Sequence, residues 1–159
     1  MKRLEIINLV VGLVAVTLLL VAGMYLKKLL SPDVASLIEI PADKHCDLGI
    51  QACEATRDNL KLKLYLNPPL KYLEKINIDL QVTGLANEQI EKVLIEFTMT
   101  EMEMGINRFE MSKAKQVDIW QGMAILPVCV SGRKDWQVSL YIKTSGKTYR
   151  VRYYLRMQA

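Results

Sequence analysis

Hydrophobic and polar residues follow two different patterns along this chain. Between Ile6 and Leu26 they do not alternate, and the stretch IINLVVGLVAVTLLLVAGMYL contains no charged residue. From Leu60 onward, apolar and polar residues alternate with a period of two, which is the pattern of half-buried β-strands. The sequence therefore predicts an apolar N-terminal segment followed by a β-rich domain.

The alternating segments are separated by turn residues, such as Asn67-Pro68-Pro69 and Ser145-Gly146. Strands are predicted at Leu60 to Leu66, Ile76 to Val82, Val93 to Met99, Gly122 to Val130, Trp136 to Ile142 and Tyr149 to Leu155, with two shorter candidates at Arg108 to Met111 and Val117 to Trp120. The segment from Gly122 is apolar on both faces, and Pro127 within it requires a bulge or an edge position. About seven short strands joined by turns are typical of an immunoglobulin-like antiparallel β-sandwich, with a small open barrel as the alternative.

The apolar stretch from Ile6 to Leu26 has the length of a membrane-spanning helix. About 21 helical residues cover about 31 Å, close to the thickness of the hydrocarbon core of a bilayer. The basic pairs Lys2-Arg3 and Lys27-Lys28 flank it. A cleaved signal peptide ending at Val21-Ala22-Gly23 and a buried core helix are the alternatives. We favour a transmembrane helix, because the apolar run continues past that site and carries no polar stripe.

The chain is predicted to divide into an anchor (1–30), a linker (31–45) and a β-domain (46–159). Ser31-Pro32-Asp33 is typical of a helix start, so the linker holds either a short interfacial helix ending before Pro41 or a stalk docked on the domain. The basic N-terminus favours the cytoplasmic side for that end. The predicted localisation is the bacterial inner membrane, with one span and a periplasmic C-terminal domain.

Composition narrows the function further. The 159 residues carry a formal net charge of +4. Such a small bias, without aromatic residues between basic ones, does not favour nucleic acid binding. His45 is the one histidine, which leaves little room for histidine-dependent catalysis or a multi-histidine metal site. Motifs of the forms GxGxxG, GxxxxGK[ST], HExxH and GxSxG are absent from the sequence. We therefore expect a protein that is not an enzyme and has no small-molecule substrate.

Three cysteines suggest a disulfide. Cys46 and Cys53 enclose the short loop CDLGIQAC, which one bridge can close, and Cys129 lies late in the chain in LPVCVSGR. Cys129 is then a thiol outside the bridge, or an alternative partner for either early cysteine. A disulfide indicates an oxidising compartment such as the bacterial periplasm. A redox role or the absence of any bridge remain alternatives.

A methionine-rich segment offers soft ligands for copper. Thioether and thiolate sulfur suit Cu(I), so His45, Met102, Met104 and Cys129 are candidate metal ligands. The alternative is that these methionines pack beneath a turn at Gly105, because methionine fills irregular gaps in cores. No other cofactor is expected.

The last two predicted strands carry a basic outward face. It consists of Lys143, Lys147, Arg150, Arg152 and Arg156. We expect this face to contact lipid head groups or an acidic partner subunit, unless it is a solvated strand face.

The segments MEMGINRFEM (Met102 to Met111) and LPVCVSGRKDW (Leu126 to Trp136) carry a resemblance. They resemble small proteobacterial membrane proteins with one span and a periplasmic β-domain, of the FixH/CcoH and YtkA-like kind. The matching positions are Met104, Gly105, Asn107, Arg108, Gly122, Leu126, Pro127 and Trp136. The resemblance implies a role in cytochrome oxidase assembly and copper delivery. We therefore expect a membrane-anchored accessory protein that binds a respiratory oxidase or another envelope complex, with Cu(I) handling or thiol–disulfide chemistry as alternatives.

Overall fold

The fold is described from a computed structural model. It describes residues 12–14, 16–23, 36–85, 89–99, 105–129 and 131–157. The chain divides into two compact units, Met1–Val34 and Ala35–Ala159.

In the N-terminal unit, residues 12–14 and 16–23 are helical. The Thr17 hydroxyl donates a hydrogen bond to the Val14 carbonyl at 2.8 Å. The rest of the predicted span from Ile6 to Leu26 lies outside the described residues. Within the part of the chain that is described, no helix is both long and apolar enough to cross a membrane.

The described residues of the second unit form nine strands. They are β1 (Ser36–Ile40), β2 (Cys53–Arg57), β3 (Leu60–Asn67), β4 (Lys75–Thr83), β5 (Ile90–Thr98), β6 (Arg108–Lys113), β7 (Ile119–Ile125), β8 (Asp135–Thr144) and β9 (Lys147–Arg156). The prediction of a mainly β domain is confirmed. Alternation explains the core, because every second residue of β3, β4 and β8 points inward, away from water, and all of these residues except Thr144 are apolar.

These strands join into one continuous, barrel-like sheet in the order β1-β9-β8-β5-β6-β7-β4-β3-β2. Neighbouring strands are antiparallel, except that β1 runs parallel to β9. The sandwich expected from the sequence has two separate sheets, whereas here β6 joins the strands on the β5 side to the strands on the β7 side. Its first part pairs with β5, and Ser112 and Lys113 at its end pair with β7.

The two ends of this strand order, β1 and β2, approach each other. Ala42, just beyond β1, forms an isolated antiparallel bridge with Ala55 of β2. The guanidinium of Arg57 donates a hydrogen bond to the Glu39 carbonyl. We call this meeting of β1 and β2 the seam.

Strands β1 and β2 are the elements that the sequence did not predict. The two strands predicted at Val117 to Trp120 and Gly122 to Val130 are also corrected, because the structure has the single strand β7 there, which ends at Ile125. The linker assigned to 31–45, predicted to hold either a short helix or a stalk docked on the domain, contributes Ser36–Ile40 as a strand of the domain, while residues 31–35 lie outside the described residues. Pairing with β9 explains the difference: Ile40 is buried opposite Val151, and Glu39 faces outward opposite Arg150. Tertiary pairing therefore outweighs the local helix signal. The compact unit accordingly begins at Ala35 rather than at Cys46.

Candidate interaction surface

A disulfide-bonded loop lies at the seam. Cys46 and Cys53 are joined, with their Cα atoms 5.8 Å apart, which confirms the predicted pairing. Both side chains are buried. Cys53 is the first residue of β2, whereas Cys46 directly precedes Asp47, which bridges to Tyr154 of β9. The disulfide therefore connects the segment beside β9 to the first residue of β2.

The loop is attached to the end of β9 by several contacts. The Asp47 carboxylate accepts hydrogen bonds from the backbone N–H of Gly49 at 2.8 Å and of Arg156 at 2.9 Å. The backbone N–H of Leu48 donates to the Tyr154 carbonyl at 3.0 Å. A Cβ atom at Gly49 would lie 2.4 Å from the Arg156 carbonyl oxygen, so this position requires glycine for close approach. The sequence places Gly49 in the turn of this loop, since Asp two residues before Gly is a turn signal, but it does not indicate the close approach to β9.

Cys129 lies apart from the bridge as a buried thiol. It follows β7, and its sulfur is 3.0 Å from the Ser131 hydroxyl oxygen. Of the predicted arrangements, the structure thus has the one in which Cys129 stays outside the disulfide.

Of the four candidate copper ligands, His45 and Cys129 lie among the described residues. His45 is an exposed turn residue whose backbone N–H donates to the Asp43 carboxylate at 2.9 Å. Met102 and Met104 lie outside the described residues. Among the residues that are described, no group of three or more histidine, cysteine, aspartate or glutamate side chains is placed to hold a metal ion. A copper site that uses His45, Cys129 and the two methionines stays a prediction.

The predicted basic face carries acidic residues between its cations. Glu39 of β1 forms ion pairs with Arg150 and with Arg152, the latter at 3.5 Å. The hydrogen bond from Arg150, with the positive charges of both arginines, holds the pKa of Glu39 below its usual value. Lys143 lies 3.8 Å from Glu91. These three predicted cations therefore belong to a face of mixed charge.

The two remaining predicted cations lie at opposite ends of β9. Lys147 is exposed beside the β8–β9 hairpin turn. Arg156 pairs in register with Asp135 of β8, and its positive charge contributes to a lowered pKa of that carboxyl group, for which the Arg133 hydrogen bond is the main cause. The five residues consequently line the whole length of the hairpin.

A second charged cluster lies on the neighbouring strands. The Glu96 carboxylate accepts hydrogen bonds from Arg108 at 2.8 Å and from the Tyr141 hydroxyl at 3.1 Å. The Arg108 guanidinium lies 5.9 Å from the centroid of the Tyr141 ring, within the range of a cation–π interaction. Glu96 is opposite Arg108 in the β5–β6 ladder, so sheet register brings the pair together.

A shallow depression of about 250 Å³ opens on this face. It is lined by Lys92, Leu94, Arg108, Tyr141, Lys143 and Thr148. The lining thus combines three cations with one apolar and two hydroxyl-bearing side chains, a combination that suits a carboxylate or another anionic group of a partner. Their acidic neighbours, including Glu110 at 2.8 Å from Lys92, keep the surrounding face of mixed sign.

The fold and this surface define a disulfide-bonded, mainly β domain with an ion-paired outer face. In comparisons with known proteins, no family model, curated protein or solved structure matches the chain.

Proposed function

We propose that this protein is a membrane-anchored periplasmic accessory protein, which acts by binding a partner in an envelope complex. A respiratory oxidase under assembly is the first candidate for that complex. The proposal includes a single membrane span at Ile6 to Leu26, a cytoplasmic N-terminus and an immunoglobulin-like arrangement of the β-domain, modified by the passage of β6 between its halves.

The observation that carries the proposal is the buried disulfide at the seam. Disulfides of this structural kind persist outside the cytoplasm, where thiols are not kept reduced. The uncharged stretch from Ile6 to Leu26 precedes the domain in the same chain. Together they favour a domain that works in an oxidising compartment while held at a membrane.

Partner binding is supported by the outer face of the sheet. The depression bounded by Lys92, Arg108 and Lys143 offers a site for an anionic group. The anchor also carries the small residues Gly12 and Gly23, which allow another helix to approach closely in lipid. Both features suit attachment to a larger membrane complex.

The test is affinity purification of the full-length protein from membranes in mild detergent. We expect reproducible co-purification of the same membrane protein, identified by mass spectrometry. The matched variant has Lys92, Arg108 and Lys143 replaced by glutamine. It keeps the anchor but removes three positive charges, so it should recover less of the partner. Recovery of the wild-type protein alone, in repeated preparations, would contradict the proposal.

Membrane topology is tested separately. A periplasm-dependent reporter enzyme fused after the C-terminus should be active, because the proposal places that end outside the cytoplasm. The same reporter on a chain lacking residues 1–30 is the control and should be inactive. Activity of both fusions, or of neither, would contradict the proposed anchor.

A further inference from the structure

Among the described residues, part of strand β7 has a ladder partner on one edge only. Strand β7 pairs with β6 only where Gln121 and Trp120 lie opposite Ser112 and Lys113. The earlier part of β6 pairs with β5 instead. Within the described chain, residues 122–125 of β7 therefore have a ladder partner only on the β4 side. Since alternate residues of a strand direct their N–H and C=O groups toward the same edge, this edge presents backbone donors and acceptors to a further strand.

The outward side chains beside this edge are apolar. Met123 is 46% exposed and Ile125 is 45% exposed, while Ala124 between them is fully buried. Just beyond the strand, the N–H of Leu73 donates to the Leu126 carbonyl at 2.9 Å, and the Leu73 side chain is 67% exposed, so a third exposed apolar residue lies near this end of β7. Clusters of exposed apolar side chains on soluble domains commonly mark interaction sites.

Residues 122–125 of this edge carry no lysine or proline. Proteins protect exposed edges with lysine, proline or bulges. Residues 122–125 read GMAI, and the nearest proline, Pro127, lies beyond the end of β7. At the seam, by contrast, β1 and β2 are tied together by the Ala42–Ala55 bridge and the disulfide.

We propose that an extended segment of the partner polypeptide adds to the edge of β7 as a further strand. This inference rests on the proposed function and specifies where the partner binds. The segment carries apolar side chains on its outer side, which cover Met123 and Ile125. Lys75, exposed and opposite Ile125 in the β4–β7 ladder, favours an acidic residue near the end of the segment.

The chemistry of the edge favours a polypeptide over the alternatives. Lipid chains offer no donors or acceptors for unpaired backbone groups, whereas an added strand satisfies them. A second copy of the domain is the other chain that could supply an added strand, and the oligomeric state of the protein distinguishes it from a partner segment.

The experiment compares edge variants in the full-length protein, purified with its partner in mild detergent. Ile125→Lys and Met123→Lys place a charge at the outward face without filling the core, because both side chains are about half exposed. Val117→Lys is the matched control, since Val117 is 77% exposed and lies in the turn before β7. We expect recovery of the partner to fall about tenfold or more in the edge variants and to stay unchanged in the control.

Hydrogen exchange provides a second measurement that does not depend on variants. Amides within residues 122–125 that point toward the edge should exchange about tenfold or more slowly in the complex than in the protein alone. Undiminished partner recovery with Ile125→Lys, or protection confined to other strands, would overturn the edge site and leave the proposed function standing. Recovery of no partner by the wild-type protein would overturn both. The proposal that a partner segment occupies the edge would also be overturned if Ile125→Lys dissociated a homodimer of the wild-type protein, or if it abolished binding of the protein to lipid vesicles.

Discussion

The side-chain carboxylate of Asp47 accepts a hydrogen bond from the backbone N–H of Arg156, at 2.9 Å. The two residues are 109 positions apart, and the contact attaches the disulfide loop to the last residue of β9. The same carboxylate oxygen also accepts the Gly49 N–H, so one side chain both shapes the loop and fastens it to the sheet. The seam is therefore held by this attachment as well as by the covalent bridge.

Removing the Asp47 carboxylate should destabilise the domain. Asp47→Ala loses two hydrogen bonds to a charged acceptor, and we expect the free energy of unfolding to fall by about 2 kcal/mol. Asp47→Asn keeps an acceptor oxygen at the same place and should lose less than half as much. Urea unfolding followed by tryptophan fluorescence measures both variants. Equal losses would show that the hydrogen bonds are not the cause.

The close approach at Gly49 gives a separate prediction. Gly49→Ala places a Cβ atom 2.4 Å from the Arg156 carbonyl oxygen, so the loop must move away from β9. We expect a loss of about 2 to 3 kcal/mol in the free energy of unfolding. At Gly132, where the space is open but φ is +72°, alanine should cost only about 1 kcal/mol. The same unfolding measurement compares them, and an equal cost at both positions would contradict the contact.

The disulfide should be structural and inaccessible in the native protein. The denatured, non-reduced protein should react with one thiol reagent per chain, at Cys129, because Cys46 and Cys53 are bonded. The native protein should react slowly, since Cys129 is buried. Replacing Cys46 and Cys53 together with alanine should lower the free energy of unfolding by about 2.5 kcal/mol, as expected for a short closed loop. Three reactive thiols in the non-reduced protein would contradict the bridge.

The ion pairs of Glu39 make the stability depend on acidic pH. Because its pKa is lowered in the folded state, Glu39 stabilises the fold above its ordinary value of 4.5, and this stabilisation is lost as the pH falls through the folded pKa. The carboxylate is about half exposed, so Glu39→Gln should cost only about 0.5 to 1 kcal/mol at neutral pH. Unfolding at neutral and at strongly acidic pH should show the difference between variant and wild type vanish at acidic pH. A difference that persists in acid would contradict this origin.

Tyr153 makes the stability depend on alkaline pH. Burial raises the pKa of its phenol, and within the described part of the chain the hydroxyl has no hydrogen-bond partner. The neutral phenol therefore favours the fold, and stability should decline as the pH rises above the ordinary value of 10.0. Tyr153→Phe should leave stability at neutral pH unchanged or raise it by up to about 1 kcal/mol, and should weaken the alkaline decline. Tyr154→Phe, at a more exposed position, is the control for unfolding curves in mild alkali.

Much of the fold could be read from local pattern. Residues such as Leu62, Leu80 and Leu140 were expected to point inward from the period of two, and all three are fully buried. Strand β1 escaped this reading, because Leu37 is half exposed and the start of the segment has helix-capping residues. Only pairing with β9 makes it a strand. The outward apolar residues Met123 and Ile125 were visible as a two-faced apolar segment, but the sequence suggested a buried strand there.

The candidate site was less predictable than the fold. Alternation could assign Arg150, Arg152 and Arg156 of β9 to one face. The acidic partners of the basic residues lie on other strands that sheet register brings alongside: Glu39 of β1 pairs with Arg150 and Arg152, and Glu91 of β5 pairs with Lys143 of β8. The sequence of one strand shows which charges that strand carries. The electrostatic potential at the surface, however, is the sum of the charges on all neighbouring strands.

The amino-acid sequence alone establishes the uncharged N-terminal stretch, the β class of the domain and the inward set of most strands. These features depend on residue type and spacing within a few positions, because apolar side chains are excluded from water wherever the segment lies in the fold. The tertiary structure decided which strands pair, how the bridge between Cys46 and Cys53 joins the two ends of the sheet, and which part of β7 has no second ladder partner among the described residues. Those outcomes depend on contacts between residues far apart in sequence, such as Asp47 and Arg156, and no local pattern encodes them.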